Sequence, residues 1–185
     1  MKRKIQVILS IAMTALLAGC APITARGLEN KAALEKVLAK AKDLGLGSGS
    51  ANKDCAVPFD CSANDLYSST IMLDSPELSD AQVCEKLFAL GQALGFVNWR
   101  RDYHETEESY DQRNMDSGVK ACGESLAVNE GTGNASQSEG VIVFGAVDSA
   151  EGPISINLHV NSVNDPEWNN DAKRGYYVTF QTTDG

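Results

Sequence analysis

Residues 154–161, with the sequence ISINLHVN, decide the fold. Apolar and polar residues strictly alternate along this segment: Ile154, Ile156, Leu158 and Val160 are separated by Ser155, Asn157, His159 and Asn161. Because successive side chains of a β-strand point to opposite faces, the pattern predicts a strand with one buried face and one face in water. Such one-sided burial is typical of antiparallel sheets. On this count His159 lies on the solvent side.

Four other segments have the composition of strands. They are residues 68–73, 97–103, 141–147 and 176–183. The turn signal Glu151-Gly152-Pro153 separates 141–147 from the strand that starts at Ile154, and a polar loop precedes 176–183. We therefore predict one antiparallel sheet of four to five strands, of which the last three form a C-terminal meander.

A helix is predicted over residues 80–94. Ser79 with Gln82 three residues later is the pattern of a capping box, and Gly95 is placed to end the helix. The apolar residues between them recur at helical spacing and form a broad face. One or two helices that cover the sheet with such a face make an α+β domain.

A second helix is predicted over residues 28–44, followed by a Gly/Ser-rich segment at 45–52. Its apolar residues recur every three to four positions, whereas most of its charges fall on the other side. We expect a membrane-proximal spacer helix and a flexible linker. Docking on the globular domain and pairing with a partner helix are the alternatives. In this division residues 20–52 carry the anchor and residues 53–185 form an acidic globular domain.

The charge balance limits the classes of partner. The chain has 185 residues, with 16 Lys and Arg against 25 Asp and Glu, for a net charge of −9. A nucleic-acid-binding domain needs a basic surface for the phosphates, so we expect no nucleic-acid partner. The length is sufficient for one domain that folds on its own.

The first twenty residues have the order of an export signal. Three basic residues at positions 2–4 precede an apolar stretch from Ile5 to Leu17, which is too short to cross a bilayer as a helix. Leu17-Ala18-Gly19-Cys20 follows and resembles the lipobox of bacterial prolipoproteins. The resemblance implies that residues 1–19 are a signal peptide and that Cys20 is the lipidated first residue of the mature protein.

This resemblance implies a place in the cell. A protein with two or three acyl chains on Cys20 stays on a membrane, whereas one chain gives only marginal binding. The expected location is the cell envelope, outside the cytoplasm. Ala21 rather than Asp follows the cysteine, which resembles the outer-membrane sorting pattern if the host has an outer membrane.

Four cysteines remain after Cys20. They are Cys55, Cys61, Cys84 and Cys122. An even number in an exported chain predicts two disulfides, with three possible pairings. The short spacing favours a local Cys55–Cys61 bond, which leaves Cys84 to pair with Cys122. A metal site is the alternative, although the spacing is not C-x-x-C and neither histidine is near a cysteine in sequence.

Signals for catalysis are weak. The sequence contains no G-x-S-x-G nucleophile motif. His104 begins the sequence HETEE, which lacks the second histidine of an H-E-x-x-H zinc helix. Asp165, Glu167, Asn169 and Asp171 alternate as in the first half of a calcium loop, but the loop's glycine and closing glutamate are missing. We therefore predict no cofactor and no metal.

The sequence favours a binding protein over an enzyme. The expected role is a lipid-anchored, non-enzymatic module that binds an unidentified envelope protein through its acidic surface or the solvent face of its sheet. Trp168, which lies in a polar loop, is a possible binding residue. The alternative is a small metal-dependent envelope hydrolase that uses His104 and neighbouring carboxylates.

Overall fold

The computed structural model describes residues 24–54, 65–73, 78–102, 113–127, 140–163 and 175–183. These residues form three α-helices, a short 3-10 turn at Met115–Ser117 and seven β-strands. The helices are α1 (Ala25–Asp43), α2 (Asp80–Ala93) and α3 (Gly118–Ala127). The strands are β1 (Asn52–Lys53), β2 (Tyr67–Leu73), β3 (Asn98–Asp102), β4 (Arg113–Asn114), β5 (Gly140–Val147), β6 (Ile154–Val163) and β7 (Gly175–Thr183).

The strands form a single open sheet in the order β1-β2-β7-β6-β5-β3-β4, and every neighbouring pair is antiparallel. The α+β class and the β5–β6–β7 meander are thus confirmed. The predicted number of four to five strands was too low. Five strands were anticipated, whereas β1 and β4 have two residues each and are too short to show an alternating pattern.

Alternation along β6 separates two faces of the sheet. Ile154, Ile156, Leu158 and Val160 are at most 1% exposed, whereas the polar residues between them are half-buried. The same division continues in β7, where Val178 and Phe180 pair with Val160 and Leu158 of β6 on the covered face. The described helices pack on this apolar face, and their buried residues form one core with it.

Helix α1 packs on the sheet, where it contacts β2, β6 and β7. Its apolar stripe is buried in the common core: Ala33, Leu34, Val37, Leu38 and Ala41 are at most 7% exposed. This placement corrects the expectation that the helix is a spacer outside the globular domain. The alternative of docking on the globular domain is the one that the structure shows, and this docking buries the stripe.

The segment after α1 also belongs to the core. Leu46 is fully buried, and its backbone N–H donates to the carbonyl of Ala41, 2.9 Å away. Gly47 has a φ of +88° and lies so close to Ile71 that a Cβ would come within 2.7 Å of its side chain. The glycines of residues 45–52, predicted to make a linker, therefore permit a close approach to β2.

Helices α2 and α3 cover the other half of the apolar face. The capping box predicted for α2 is present, because Ser79 and Gln82 exchange their side-chain and backbone hydrogen bonds. A disulfide between Cys84 and Cys122 joins the two helices, with Cα atoms 5.9 Å apart. Phe88 of α2 packs edge-on against Trp99 of β3.

Candidate functional site: the polar face of the sheet

The sheet face opposite the helices is polar. We call it the polar sheet face and define it by the outward side chains of the five long strands: Ser68, Thr70, Met72, Asn98, Arg100, Ile142, Phe144, Ser155, Asn157, His159, Asn161, Tyr177, Thr179 and Gln181. No described helix lies on this face. Most of its side chains are half-buried, as expected for neighbours on a solvent-facing sheet.

Strand register places these side chains in rows across the sheet. Thr70, Thr179, His159, Ile142 and Arg100 are consecutive partners in one row. The hydroxyl oxygens of Thr70 and Thr179 are 3.1 Å apart and share a hydrogen bond. Side chains opposite each other on antiparallel strands are close enough to bind one ligand group together.

A second row is richer in amides. Gln181, Asn157, Phe144 and Asn98 follow one another across β7, β6, β5 and β3. The Gln181 amide donates to Asp54 Oδ2 over 3.0 Å, so a carboxylate fixes its orientation at the β2 side. At the other side, the Arg100 guanidinium lies over the Phe144 ring, 5.5 Å from its centroid.

One corner of the face is tightly packed. A Cβ at Gly140 would collide with Asn161 Oδ1 and His159 Nε2, so both side chains rest on the glycine backbone. Ile142, the next outward residue of β5, is 7% exposed although it lies on the polar side. The glycine thus lets two polar side chains lie flat against the sheet at this corner.

The chemistry of the face suits binding. It offers amide, hydroxyl and imidazole groups that donate and accept hydrogen bonds, together with an arginine and the aromatic residues Tyr177 and Phe144. Within the described ranges, no group of three or more His, Cys, Asp or Glu residues is arranged to hold a metal ion. These groups are of the types that bind a polar partner through hydrogen bonds and through aromatic and arginine contacts.

A separate polar cluster ties the start of α1 to the turn between β5 and β6. Arg26 donates to the carbonyls of Gly152 and Pro153 over 3.1 and 2.7 Å. Ser149 Oγ donates to Glu29 Oε2 over 2.6 Å. That hydrogen bond is the main reason why the pKa of Glu29 is below its usual value; the Glu151 backbone and Arg26 lower it further, against a desolvation effect that raises it.

Several residues singled out from the sequence lie outside the described residues: Cys20, Cys55, Cys61, His104, Trp168 and the 165–171 segment. Cys84 and Cys122 form the long-range disulfide that was anticipated, on the helical side of the molecule. His159 lies on the solvent side, as the alternation in β6 predicted. None of the helices in the described ranges is long and apolar enough to span a bilayer.

Alternation in the sequence predicts the two sides of β6 and of the 97–103 segment, but not the face that the strands form together. Arg100, Thr179 and Gln181 were not singled out as site residues. Alternating polar residues in 176–183 were the available signal, but the partner strands of β7 are set by tertiary structure.

Comparison with known proteins gives no relative. The chain matches no protein-family model, and no curated protein and no solved structure is similar to it. The features that bear on its function are therefore its own: the motif at the N-terminus and the polar sheet face.

Proposed function

We propose that the chain is a lipid-anchored bacterial envelope lipoprotein whose domain binds another envelope protein without catalysing a reaction. Cys20 carries the lipid after removal of residues 1–19. The support for the anchor is the lipobox-like Leu17-Ala18-Gly19-Cys20 behind a basic and apolar segment of signal-peptide length. A protein exported in this way resides outside the cytoplasm, where disulfides persist.

The polar sheet face is the observation that carries the binding role. Arg100 and Tyr177 are of the residue types that contribute most to protein interfaces, and they are half-buried, so docking removes further surface from water. Asn157 and Gln181 provide the hydrogen bonds that fix a partner's position. The described helices all pack on the other side of the sheet, so none of them covers this face.

Lipidation is tested by mass spectrometry of the mature protein from envelopes. The expected mass is that of residues 20–185 plus a diacylglyceryl group, with or without a third acyl chain. The Cys20→Ser variant is expected to lose both the added mass and the membrane fraction. A parent protein of unmodified mass would refute the anchor.

Binding is tested by photo-crosslinking in intact cells. A benzophenone amino acid at Asn157, on the polar sheet face, is compared with one at Gln92, which is exposed on α2. We expect one discrete, reproducible crosslinked protein from position 157 and none from position 92. Arg100→Ala in the position-157 background is expected to reduce the crosslink yield several-fold.

The crosslink result separates two outcomes. Equal labelling from positions 157 and 92 would mean random encounter and would refute a specific role for the polar sheet face. Loss of the crosslink together with loss of folding would not count as support, so circular dichroism of each variant accompanies the assay.

A further inference from the structure

The outer side of α1, which faces away from the sheet, has a distinct pattern. At 3.6 residues per turn, Leu28, Ala32 and Ala39 fall on one narrow stripe opposite the buried residues, and Leu28 is 54% exposed. Lysines flank this stripe on both sides: Lys36 and Lys40 on one flank, Lys31 and Lys42 on the other, with the acids Glu35 and Asp43 between them at the edges of the stripe. Apolar residues between flanking lysines are typical of helices that lie in a membrane interface.

The charge of the chain is divided along the sequence. Residues 20–53 carry six basic and three acidic side chains, whereas residues 54–185 carry seven basic and 22 acidic ones. Lys36, Lys40 and Lys42 are exposed, and Lys31 pairs with Glu35 at 3.7 Å. The outer side of α1, with four lysines against Glu35 and Asp43, is thus net basic on an otherwise acidic protein, and anionic headgroups attract it while they repel the remainder.

Chain length holds this surface close to the lipid. Residues 21–24 separate Cys20 from the first residue of α1, Ala25. Even a fully extended chain spans only about 17 Å over these five steps. The 19-residue helix is about 28 Å long. An acylated Cys20 therefore keeps the start of α1 at the membrane surface.

Charge also decides how the domain is tilted. The end of the molecule around the start of α1 contains the exposed or half-exposed acids Glu29, Asp65, Asp148 and Glu151, with Arg26 as the basic residue of that polar cluster. An end-on orientation would press these carboxylates against anionic headgroups. Tilting the domain onto the outer side of α1 replaces them with a side on which lysines outnumber acids.

We propose that the outer side of α1 lies on an anionic bilayer surface, with Leu28, Ala32 and Ala39 at the headgroup level and the flanking lysines on lipid phosphates. This inference rests on the proposed lipidation of Cys20. Because α1 packs on the face of the sheet opposite the polar residues, the polar sheet face then points away from the membrane that holds the protein. Its partner is reached on the far side, not within the same bilayer.

The experiment is energy transfer in vesicles with the full acylated mature protein. A fluorescent amino acid is placed at Ala39, on the outer side of α1, or at Asn157, on the polar sheet face, and an acceptor dye is placed on lipid headgroups. In vesicles of phosphatidylcholine with phosphatidylglycerol, we expect several-fold more transfer from position 39 than from position 157. In pure phosphatidylcholine the difference is expected to shrink.

A charge variant provides the matched control. Each lysine near anionic headgroups shifts the equilibrium toward the proposed orientation by about fivefold. Replacing Lys36, Lys40 and Lys42 with Gln removes these shifts, so energy transfer from positions 39 and 157 is expected to become similar. Equal transfer in the parent protein, or more from position 157, overturns the proposed orientation while the acyl mass remains correct. A parent protein without the acyl mass overturns the lipidation proposal, and this inference with it.

Discussion

The two faces of the sheet are built from the same strands and differ in nearly every physical respect. On β6, Leu158 is fully buried under the helices, whereas its neighbour Asn157 is half-buried on the polar side. On β3, Trp99 is fully buried against Phe88, and the next residue, Arg100, lies over Phe144 on the other face. The difference teaches that one face of the sheet supplies most of the buried apolar surface, whereas the composition of the other is not constrained by the core.

The largest effect on stability is expected on the covered face, and a substitution of the next residue, on the polar face, is its comparison. Leu158→Ala removes a fully buried side chain and should lower the free energy of unfolding by about 2–5 kcal/mol. Asn157→Ala, one residue away on the polar side, should change it by about 0.5 kcal/mol or less. Urea denaturation of the two variants measures both values. Similar losses for the pair would contradict the division of roles between the faces.

The covered face also contains the covalent link between α2 and α3. Removing the Cys84–Cys122 disulfide, which closes a loop over a sequence separation of 38 residues, should cost about 2–4 kcal/mol. Cys84→Ala and the double variant Cys84→Ala/Cys122→Ala should lose about the same amount, because either change breaks the bond. A much larger loss in the double variant would assign the effect to packing of the two side chains instead.

On the polar side, the tightest position is Gly140. Gly140→Ala forces a Cβ into Asn161 and His159 and should cost about 1–3 kcal/mol. Gly123→Ala is the matched control, since a Cβ there meets nothing closer than 3.8 Å and alanine favours the helix by up to about 1 kcal/mol. Thermal unfolding of both variants checks the opposite signs. A neutral Gly140→Ala would show that this corner of the face is not closely packed.

The smallest effect concerns the polar cluster at the start of α1. The pKa of Glu29 is lowered in the folded protein, chiefly by the hydrogen bond from Ser149, so its charged form favours folding. That contribution is present above the ordinary pKa of about 4.3 and is lost as the pH falls through the lower folded value. Glu29→Gln should therefore be less stable than the parent at pH 7, and the difference should shrink as the pH falls below the ordinary value of the glutamate pKa. A stability difference that persists at low pH would contradict this assignment.

Local pattern explains which parts of the fold were predictable. Alternation in residues 154–161 predicted both faces of β6, and Ser79 with Gln82 predicted the start of α2, because these features depend on neighbours in sequence. The two-residue strands β1 and β4 have no periodicity and were missed. The polar sheet face could not be predicted from neighbouring residues either, because it depends on β7 lying between β2 and β6.

The limits of local pattern also explain why the placement of α1 on the sheet was not predicted. Its apolar stripe predicted that one side is buried but not what buries it, and the glycines after it resembled a linker. In the structure Gly47 and Gly49 lie close to side chains of β2, so these glycines serve packing. Composition indicates freedom of the backbone, and only tertiary contacts decide whether that freedom is used for motion or for a close approach.

Placement of β7 in the middle of the sheet has a consequence for folding order. Strand β2 joins the rest of the sheet through β7, more than a hundred residues later in sequence. Until residues 175–183 have emerged, β1 and β2 can pair with each other but lack the strand that joins them to β6, whereas β3, β4, β5 and β6 can already pair among themselves. The chain therefore completes its core after synthesis of β7, and such distant pairing makes folding slow.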